Sequence, residues 1–225
     1  VNPQGNYTVP YDLKSDELTN LEVGWKLDLM DGQLRLNGSA FFMEIENMQT
    51  TIFDTSIVNL FFSDNAADAE VRGIEGDFIY APEGILGLTV SGGYSFLDSE
   101  ITRKITPTDD IIVGDELAYA PGFQGNLQFR YEWQLSSGLT AHIMPNIAWS
   151  DSSFSDIIQI NRIEIDSWTL VGFTAGVESD TWSATFFIDN LTDEKAEMGN
   201  WFGADVERVV YARPLTAGIR ASYNL

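Results

Sequence analysis

Several residue types that define common protein classes are missing or scarce in this sequence. It has no cysteine, which excludes disulfide frameworks, thiolate metal sites and cysteine nucleophiles. Its 12 lysines and arginines face 34 acidic residues, and the resulting net charge of −22 would repel nucleic acid. No apolar run approaches the roughly 18 residues that a membrane-spanning helix needs. These absences exclude cysteine-based sites, nucleic-acid binding and membrane-spanning helices.

What the sequence has instead is an alternation of apolar and polar residues with a period of two. Such a period places alternate side chains on opposite faces of a strand, so each segment predicts one apolar and one polar face. Nine segments show it, at residues 21–29, 34–45, 74–80, 86–96, 127–135, 139–150, 171–177, 182–188 and 215–225. The sequence therefore predicts nine antiparallel strands.

One-sided strands fit either a water-soluble β-sandwich or a membrane β-barrel, and the connections help to separate the two. Brief turns at "MDG", "APEG", "LSSG" and "ESDT" alternate with long segments at residues 47–68, 97–118, 151–167 and 189–207. Most runs also approach the 9 to 11 residues of a tilted membrane strand. Short turns at one rim and long loops at the other are typical of outer-membrane barrels, and we favour that architecture over the sandwich.

The positions of aromatic and acidic residues also fit an outer-membrane barrel. Aromatic residues near strand ends suit the girdles at the two membrane interfaces; they are Tyr80, Trp133, Trp149, Trp182 and Tyr223. Most of the acidic excess lies at the N-terminus and in the four long segments, away from lipid. These acids either keep the loops soluble or bind divalent cations, but no calcium-loop spacing such as "DxDxDG" is present.

Nine strands are an odd number, whereas single-chain bacterial barrels close with an even one. An open sheet would leave unpaired backbone groups in lipid. We therefore expect residues 1–225 to be the C-terminal part of an outer-membrane barrel domain. The N-terminal strands, and any domain before them, would be absent from this chain.

Particular stretches of the sequence resemble the barrel of TonB-dependent outer-membrane receptors. "WSATFFIDNLTDEKAE", centred on Asn190, Leu191, Thr192 and Asp193, matches the most recognisable barrel signature of that family. "DELTNLEVGWKLDLMDGQLRLNGSAFFMEIENMQTTIFD", "DAEVRGIEGDF" and "GDELAYAPGFQGNLQFRYEW" are similar to other parts of it. The chain departs from the family at Leu225, where Phe is common, and at Leu215, where Arg is common.

The resemblance implies a barrel of about 22 strands, occluded by an N-terminal plug domain. It implies active uptake of a scarce nutrient, powered by the TonB complex through a segment that this chain lacks. A ferric siderophore is the first expectation for the cargo, and a saccharide or another bulky nutrient is the alternative. A passive porin-like channel is a rival, because the same wall could enclose open water.

Loop residues that are aromatic, charged or both are the candidate ligand contacts. They are Phe61, Phe62, Phe154, Asp156, Arg162, Trp201, Phe202 and Asp205. Aromatic faces can stack on sugars or on planar chelating groups, although the same residues also pack loops together. Acidic loops disfavour an anionic cargo unless cations or arginines such as Arg162 and Arg208 offset them.

The remaining predictions concern partners and chemistry. The expected partners are outer-membrane lipid and lipopolysaccharide, the TonB complex, a small-molecule ligand, and the barrel-assembly machinery through the C-terminal strand. The expected location is the outer membrane of a Gram-negative bacterium. No cofactor, metal site or enzyme activity is predicted, because no hydrolase or phosphate-binding motif is present and the single histidine, His142, fits a wall residue.

Overall fold

The computed structural model describes residues 12–54, 60–203 and 206–223. The strands are β1 (Glu17–Leu29), β2 (Leu34–Asp54), β3 (Leu60–Tyr80), β4 (Leu88–Lys104), β5 (Phe123–Gln134), β6 (Thr140–Ser150), β7 (Ser153–Phe154), β8 (Glu164–Ile165), β9 (Trp168–Glu178), β10 (Trp182–Asp189), β11 (Glu197–Gly203), β12 (Val206–Tyr211) and β13 (Thr216–Tyr223). Within the described ranges, no helix has the length and apolar character needed to cross a membrane.

Nine of these strands form a single antiparallel sheet in the order β1-β2-β3-β4-β5-β6-β9-β10-β13. The predicted number and order of strands are therefore confirmed. Two small hairpins, β7–β8 and β11–β12, lie outside the sheet. In the described part of the chain β1 and β13 each have one neighbour, so the nine strands make an open stretch of barrel wall.

The two faces of this sheet have opposite chemistry. The pairing of β1 with β2 runs in unbroken register from Glu17↔Glu46 to Leu29↔Leu34. The apolar face is uncovered, with Leu21 70% and Ile219 77% exposed. The described residues form no second layer over it, so the soluble sandwich is wrong, and this is the face that the alternation predicts for the outside of a barrel.

The opposite face is polar and concave. It encloses a volume of about 1100 Å³ lined by side chains that include Lys26, Asn37, Glu75, Asp77 and Gln124. This is the face that the alternation predicts for the interior of a barrel. We call it the lumen face.

Aromatic rings cover glycines on the neighbouring strand. Gly38 is paired with Trp25, and a Cβ on Gly38 would lie 2.4 Å from the indole ring. Gly125 is likewise paired with Trp149, whose ring would stand 2.6 Å from an added Cβ. At each of these glycines an aromatic ring extends over the neighbouring strand. A side chain larger than the hydrogen of glycine would clash with that ring.

Aromatic residues form two belts on the apolar face. The belt toward the long loops joins Phe96 to Phe123, stacked at 4.4 Å, and Phe123 to Trp149 at 5.8 Å. At the short-turn rim, Tyr131 stacks on Trp133 at 5.7 Å. Ten residues of β5 separate Phe123 from Trp133, which is about 34 Å along a strand and about 26 Å of height after tilting. That height matches the apolar band of an outer-membrane barrel.

The predicted long loops are shorter than expected because several strands continue past the membrane. β2 runs on to Asp54 and β3 begins at Leu60, so most of the segment 47–68 is a projecting hairpin. A bulge next to Asn47, which has a φ of 55°, accommodates the change of register. β4 extends to Lys104, and residues 189–207 contain β11 and the start of β12. Ordinary backbone pairing thus replaces irregular loop, a feature that the apolar alternation did not indicate. Leu225, where the chain departs from the family, lies outside the described residues.

Candidate functional site

A second hydrophobic core lies beyond the membrane belt, at the rim that carries the long connections. It consists of Ile52, Phe62, Ala66, Ala67, Ile101, Ile111, Ile157 and Ile158, with Met48, Leu117 and Ala118 packed against it. The members come from the β2–β3 projection, the end of β4, and the connections 105–122 and 151–167. We call these segments together the loop cap.

Hydrogen bonds between segments hold the loop cap as one body. The amide of Ile105 donates to the carbonyl of Ala66 at 2.9 Å, which ties the connection 105–122 to β3. The side-chain amide of Gln159 donates to Asp115 at 2.6 Å, which ties the connection 151–167 to the connection 105–122. Because a buried apolar core and interlocking hydrogen bonds coincide, these segments cannot move independently without exposing both.

The structure brings three of the predicted ligand contacts together inside this cap. The guanidinium carbon of Arg162 lies 3.7 Å above the centre of the Phe154 ring. The Nη1 atom of Arg162 donates to the carbonyls of Glu116, at 3.0 Å, and Asp156, at 3.1 Å. Only 8% of the Arg162 side chain is exposed, so this arginine holds the loops to one another.

The carboxylate of Asp156 also forms a hydrogen bond within its own loop. Its Oδ1 atom accepts the amide of Ile158 at 3.0 Å. Burial raises the pKa of the Asp156 carboxyl above its usual value, and the amides of Ile158 and Ile157 and the charge of Arg162 oppose that rise only in part. The carboxylate is therefore held in a partly desolvated position between loops.

The other five predicted contacts are Phe61, Phe62, Trp201, Phe202 and Asp205. Phe62 is buried in the core of the cap. Phe61 and Phe202 lie in β3 and β11, where the structure describes the backbone alone. Asp205 lies outside the described residues. Trp201 lies in β11 with 44% of its surface exposed.

The β11–β12 hairpin has one buried and one open face. On the buried face, Asn200 is 1% exposed, and its backbone carbonyl accepts the hydroxyl of Tyr119 at 2.7 Å. On the open face, Trp201 is paired directly with Arg208, which is exposed, and Val206 is exposed nearby. None of the ion pairs among the described residues involves Arg208. We call this the Trp201–Arg208 face.

Two residues that the sequence analysis missed line the lumen face near this hairpin. Trp168 begins β9, and Met198 extends from β11; both border the same concavity as Lys26 and Asp77. The position of Trp168 at the junction of a long connection and a strand is the one sequence signal that points to it. Met198 gives no such signal, because its place depends on how the hairpin folds back.

Charged residues on the lumen face bond within a strand and between strands. Arg130 donates to Glu132 of the same strand at 2.9 Å. Asp77 of β3 accepts the side-chain amide of Asn37 of β2 at 3.0 Å. Arg220 lies over the ring of Phe187 at 5.4 Å.

His142 lies on β6 opposite Gly176 and is buried. This is a wall position, as predicted. Among the described residues no group of three or more His, Asp or Glu side chains could hold a metal ion.

A sheet with an uncovered apolar face between two aromatic belts, a polar concave face, and short turns opposite a folded cap defines a class of protein. It is a segment of the wall of an outer-membrane β-barrel, and the loop cap stands on its extracellular side.

The family is shown by sequence. The model of the TonB dependent receptor-like β-barrel matches residues 1–191 of the 225. The chain belongs to the TonB-dependent receptor family, and its place is the outer membrane of a Gram-negative bacterium. The metal-pseudopaline receptor CntO of Pseudomonas aeruginosa is 29% identical over 119 residues, which cover 53% of this chain and 15% of CntO.

Solved receptors have the same fold. The siderophore receptor PiuA of Acinetobacter baumannii matches 91% of this chain with a TM-score of 0.67 and 21% identity. The ferric yersiniabactin uptake receptor FyuA of Yersinia pestis matches 92% with a TM-score of 0.72 and 14% identity. The chain spans 28% of PiuA and 29% of FyuA, so it corresponds to less than a third of such a receptor.

Proposed function

We propose that the receptor containing this chain imports a ferric siderophore by TonB-dependent active transport. This chain would form part of the barrel wall and of the extracellular vestibule. Membership of the TonB-dependent receptor family supports the mode of transport. The names of PiuA, FyuA and CntO, all receptors for metal-chelating compounds, support the class of cargo.

The Trp201–Arg208 face is the observation that carries the proposal. An exposed indole beside an arginine that makes no ion pair with the described residues suits a planar group that bears negative charge. In a chain of net charge −22, Arg208 also offers local relief from the repulsion that an anionic chelate would meet. Met198 and Trp168 border the lumen concavity and would continue the contact surface inward.

The predicted contacts then take two roles. Trp201 is assigned to the ligand, and Phe202 and Asp205 stay predictions for it. Phe62, Phe154 and Arg162 are assigned to the loop cap that borders the vestibule, because their side chains pack loops together. Asp156 and Phe61 stay predictions for ligand contact.

The domain arrangement and partners are part of the same proposal. The remaining strands would pair with the free edges of β1 and β13, and a plug domain would fill the concave lumen face. The TonB complex would act on a segment before the plug. Lipid and lipopolysaccharide would surround the apolar face, and the barrel-assembly machinery would act on β13.

A saccharide is the second candidate cargo, and one cavity favours it. A space of about 350 Å³ near the extracellular rim is lined by Trp149 and Trp168 together with Asp151 and Glu194. The indole of Trp168, with the carboxylates of Asp151 and Glu194 beside it, suits the apolar face and the hydroxyl groups of a sugar ring. A neutral sugar would also avoid the charge repulsion.

Binding to the full receptor tests the proposal, with a ferric tris-catecholate and a neutral maltooligosaccharide as probes. Trp201→Ala and Arg208→Ala should each weaken binding of the ferric probe about 10-fold, as loss of an interface anchor does. Trp182→Phe, at the membrane interface of the short-turn rim, is the matched control and should not change binding. Equal affinity in all three variants, or binding of the sugar alone, contradicts the siderophore proposal. Uptake that persists without TonB would indicate a passive channel.

A further inference from the structure

The Asn190–Asp193 turn, at the end of β10, makes contacts that neither lipid nor ligand explains. We propose that this turn sets the register in which the last strand, β13, pairs with β10, and so acts during assembly of the barrel. The role is independent of what the receptor transports. It gives a physical reason for the "DNLTDE" stretch that the sequence analysis singled out.

The side chain of Asn190 forms hydrogen bonds with two separate backbone segments. Its Nδ2 atom donates to the carbonyls of Glu194, at 2.9 Å, and Arg213, at 3.0 Å. Its Oδ1 atom accepts the amide of Glu194 at 2.9 Å. The residue is 6% exposed, so these bonds are sheltered from competing water.

Asp193 holds the approach to β13 from the same turn. Its Oδ1 atom accepts the amide of Leu215 at 2.9 Å, directly before β13 begins at Thr216. Asn190 and Asp193 both have a φ of 52°, in the left-handed region that Asn and Asp tolerate better than other side chains. The backbone of the turn thus favours the residue types that its hydrogen bonds use.

The turn also anchors to the strand on the other side of β10. The amide of Leu191 donates to the carbonyl of Val171 in β9 at 2.7 Å. The last pair of β10 with β13 is Asp189↔Thr216, immediately next to the turn. One small motif therefore joins β9, β10 and the start of β13.

This register needs a separate determinant because the connection does not supply one. Residues 190–215 lie between β10 and β13, so no tight hairpin turn fixes the offset of the two strands. A slip of two residues keeps the apolar side chains outward, so alternation does not oppose it. On the lumen face, the ring of Phe187 covers Gly218, whose Cβ would lie 2.8 Å away, and this contact adds a second preference for the observed offset.

Cysteine pairs can report the register, since this part of the receptor has no native cysteine. The hydroxyls of Ser183 and Ser222 are 2.7 Å apart across the two strands, so Ser183→Cys with Ser222→Cys reports the native offset. Ser183→Cys with Arg220→Cys reports a slip of two residues. The full receptor would be expressed with each pair, and disulfide yield would be measured in the folded, membrane-inserted fraction.

We expect Asn190→Ala and Asp193→Ala to lower the native cross-link at least several-fold and to raise the slipped one. Asp193→Asn keeps the acceptor oxygen and should restore the native yield. Asn65→Ala removes a side chain of the loop cap that holds the backbone of Lys14, and this control should leave the cross-link unchanged.

Native cross-linking at the parental yield in both alanine variants would overturn the proposal. If Asn190→Ala is not recovered in the membrane, the two Asp193 variants decide. Equal yields from Asp193→Ala and Asp193→Asn, whether high or low, would show that the hydrogen bond to Leu215 does not set the register.

Discussion

The barrel wall and the loop cap belong to one chain but bury their apolar residues in opposite directions. In the wall, Leu21 and Ile219 are 70% and 77% exposed on the outer face. In the cap, Ile52, Ile101 and Ile158 are fully enclosed by neighbouring loops. The described residues leave the apolar face of the wall uncovered, whereas the cap buries its own apolar residues.

The difference shows that the surrounding medium determines on which side of a strand an apolar side chain stabilises the protein. β2, β3 and β4 pass from one region into the other without interruption. Below the boundary an outward isoleucine stabilises the protein through lipid contact, and above it an isoleucine stabilises the protein only when it is turned inward. The aromatic belt of Phe96, Phe123 and Trp149 marks the level at which the rule changes.

The same truncation should have very different effects in the two regions. Ile158→Ala removes a fully buried side chain from the cap, and such a cavity costs about 2 to 5 kcal/mol. Ile219→Ala removes a lipid-facing side chain and should leave the cap unaffected. Ile111→Cys, at a buried cap position, provides the measurement, because a thiol reagent labels it only when the cap opens.

We expect labelling in the Ile158→Ala background to be at least roughly 30-fold faster, the factor that corresponds to about 2 kcal/mol. The Ile219→Ala background should label at the parental rate. If labelling were equally faster in the two backgrounds, wall and cap would unfold as one unit, and the proposed difference between the two regions would be wrong.

An arginine introduced on the outer face of β5 should destabilise the barrel more than one introduced on the lumen face. Phe129 is 42% exposed on the outer face of β5, and Gln128 is its neighbour on the lumen face. Phe129→Arg should destabilise the barrel by about 2 to 4 kcal/mol near mid-membrane, whereas Gln128→Arg should cost far less. Unfolding of the full receptor in lipid bilayers measures both. Equal losses would contradict the assignment of the faces.

Much of the wall could be predicted from sequence, and little of the cap. A period of two is a local signal, so runs such as 127–135 identified their strands and the face that meets lipid. The cap core joins Ile52, Ile101, Ile111 and Ile158, which are far apart in the chain and share no period. For that reason nothing in the sequence indicated that Arg162 lies over the ring of Phe154, as it does in the structure.

The smallest expected effect comes from Asp156, and it tests whether the cap behaves as a water-excluding body. Burial raises the pKa of this carboxyl, so protonation favours the folded loop. The stability of the cap should therefore be greatest below the ordinary pKa of 3.8 and should fall as the pH rises from there to the raised value. Asp156→Asn keeps an oxygen to accept the Ile158 amide and carries no charge, so it should remove this pH dependence. Labelling of Ile111→Cys, corrected for the reactivity of a free thiol at each pH, measures the slope. A parental cap whose stability rises with pH through that window would mean that the attraction of Arg162 outweighs burial.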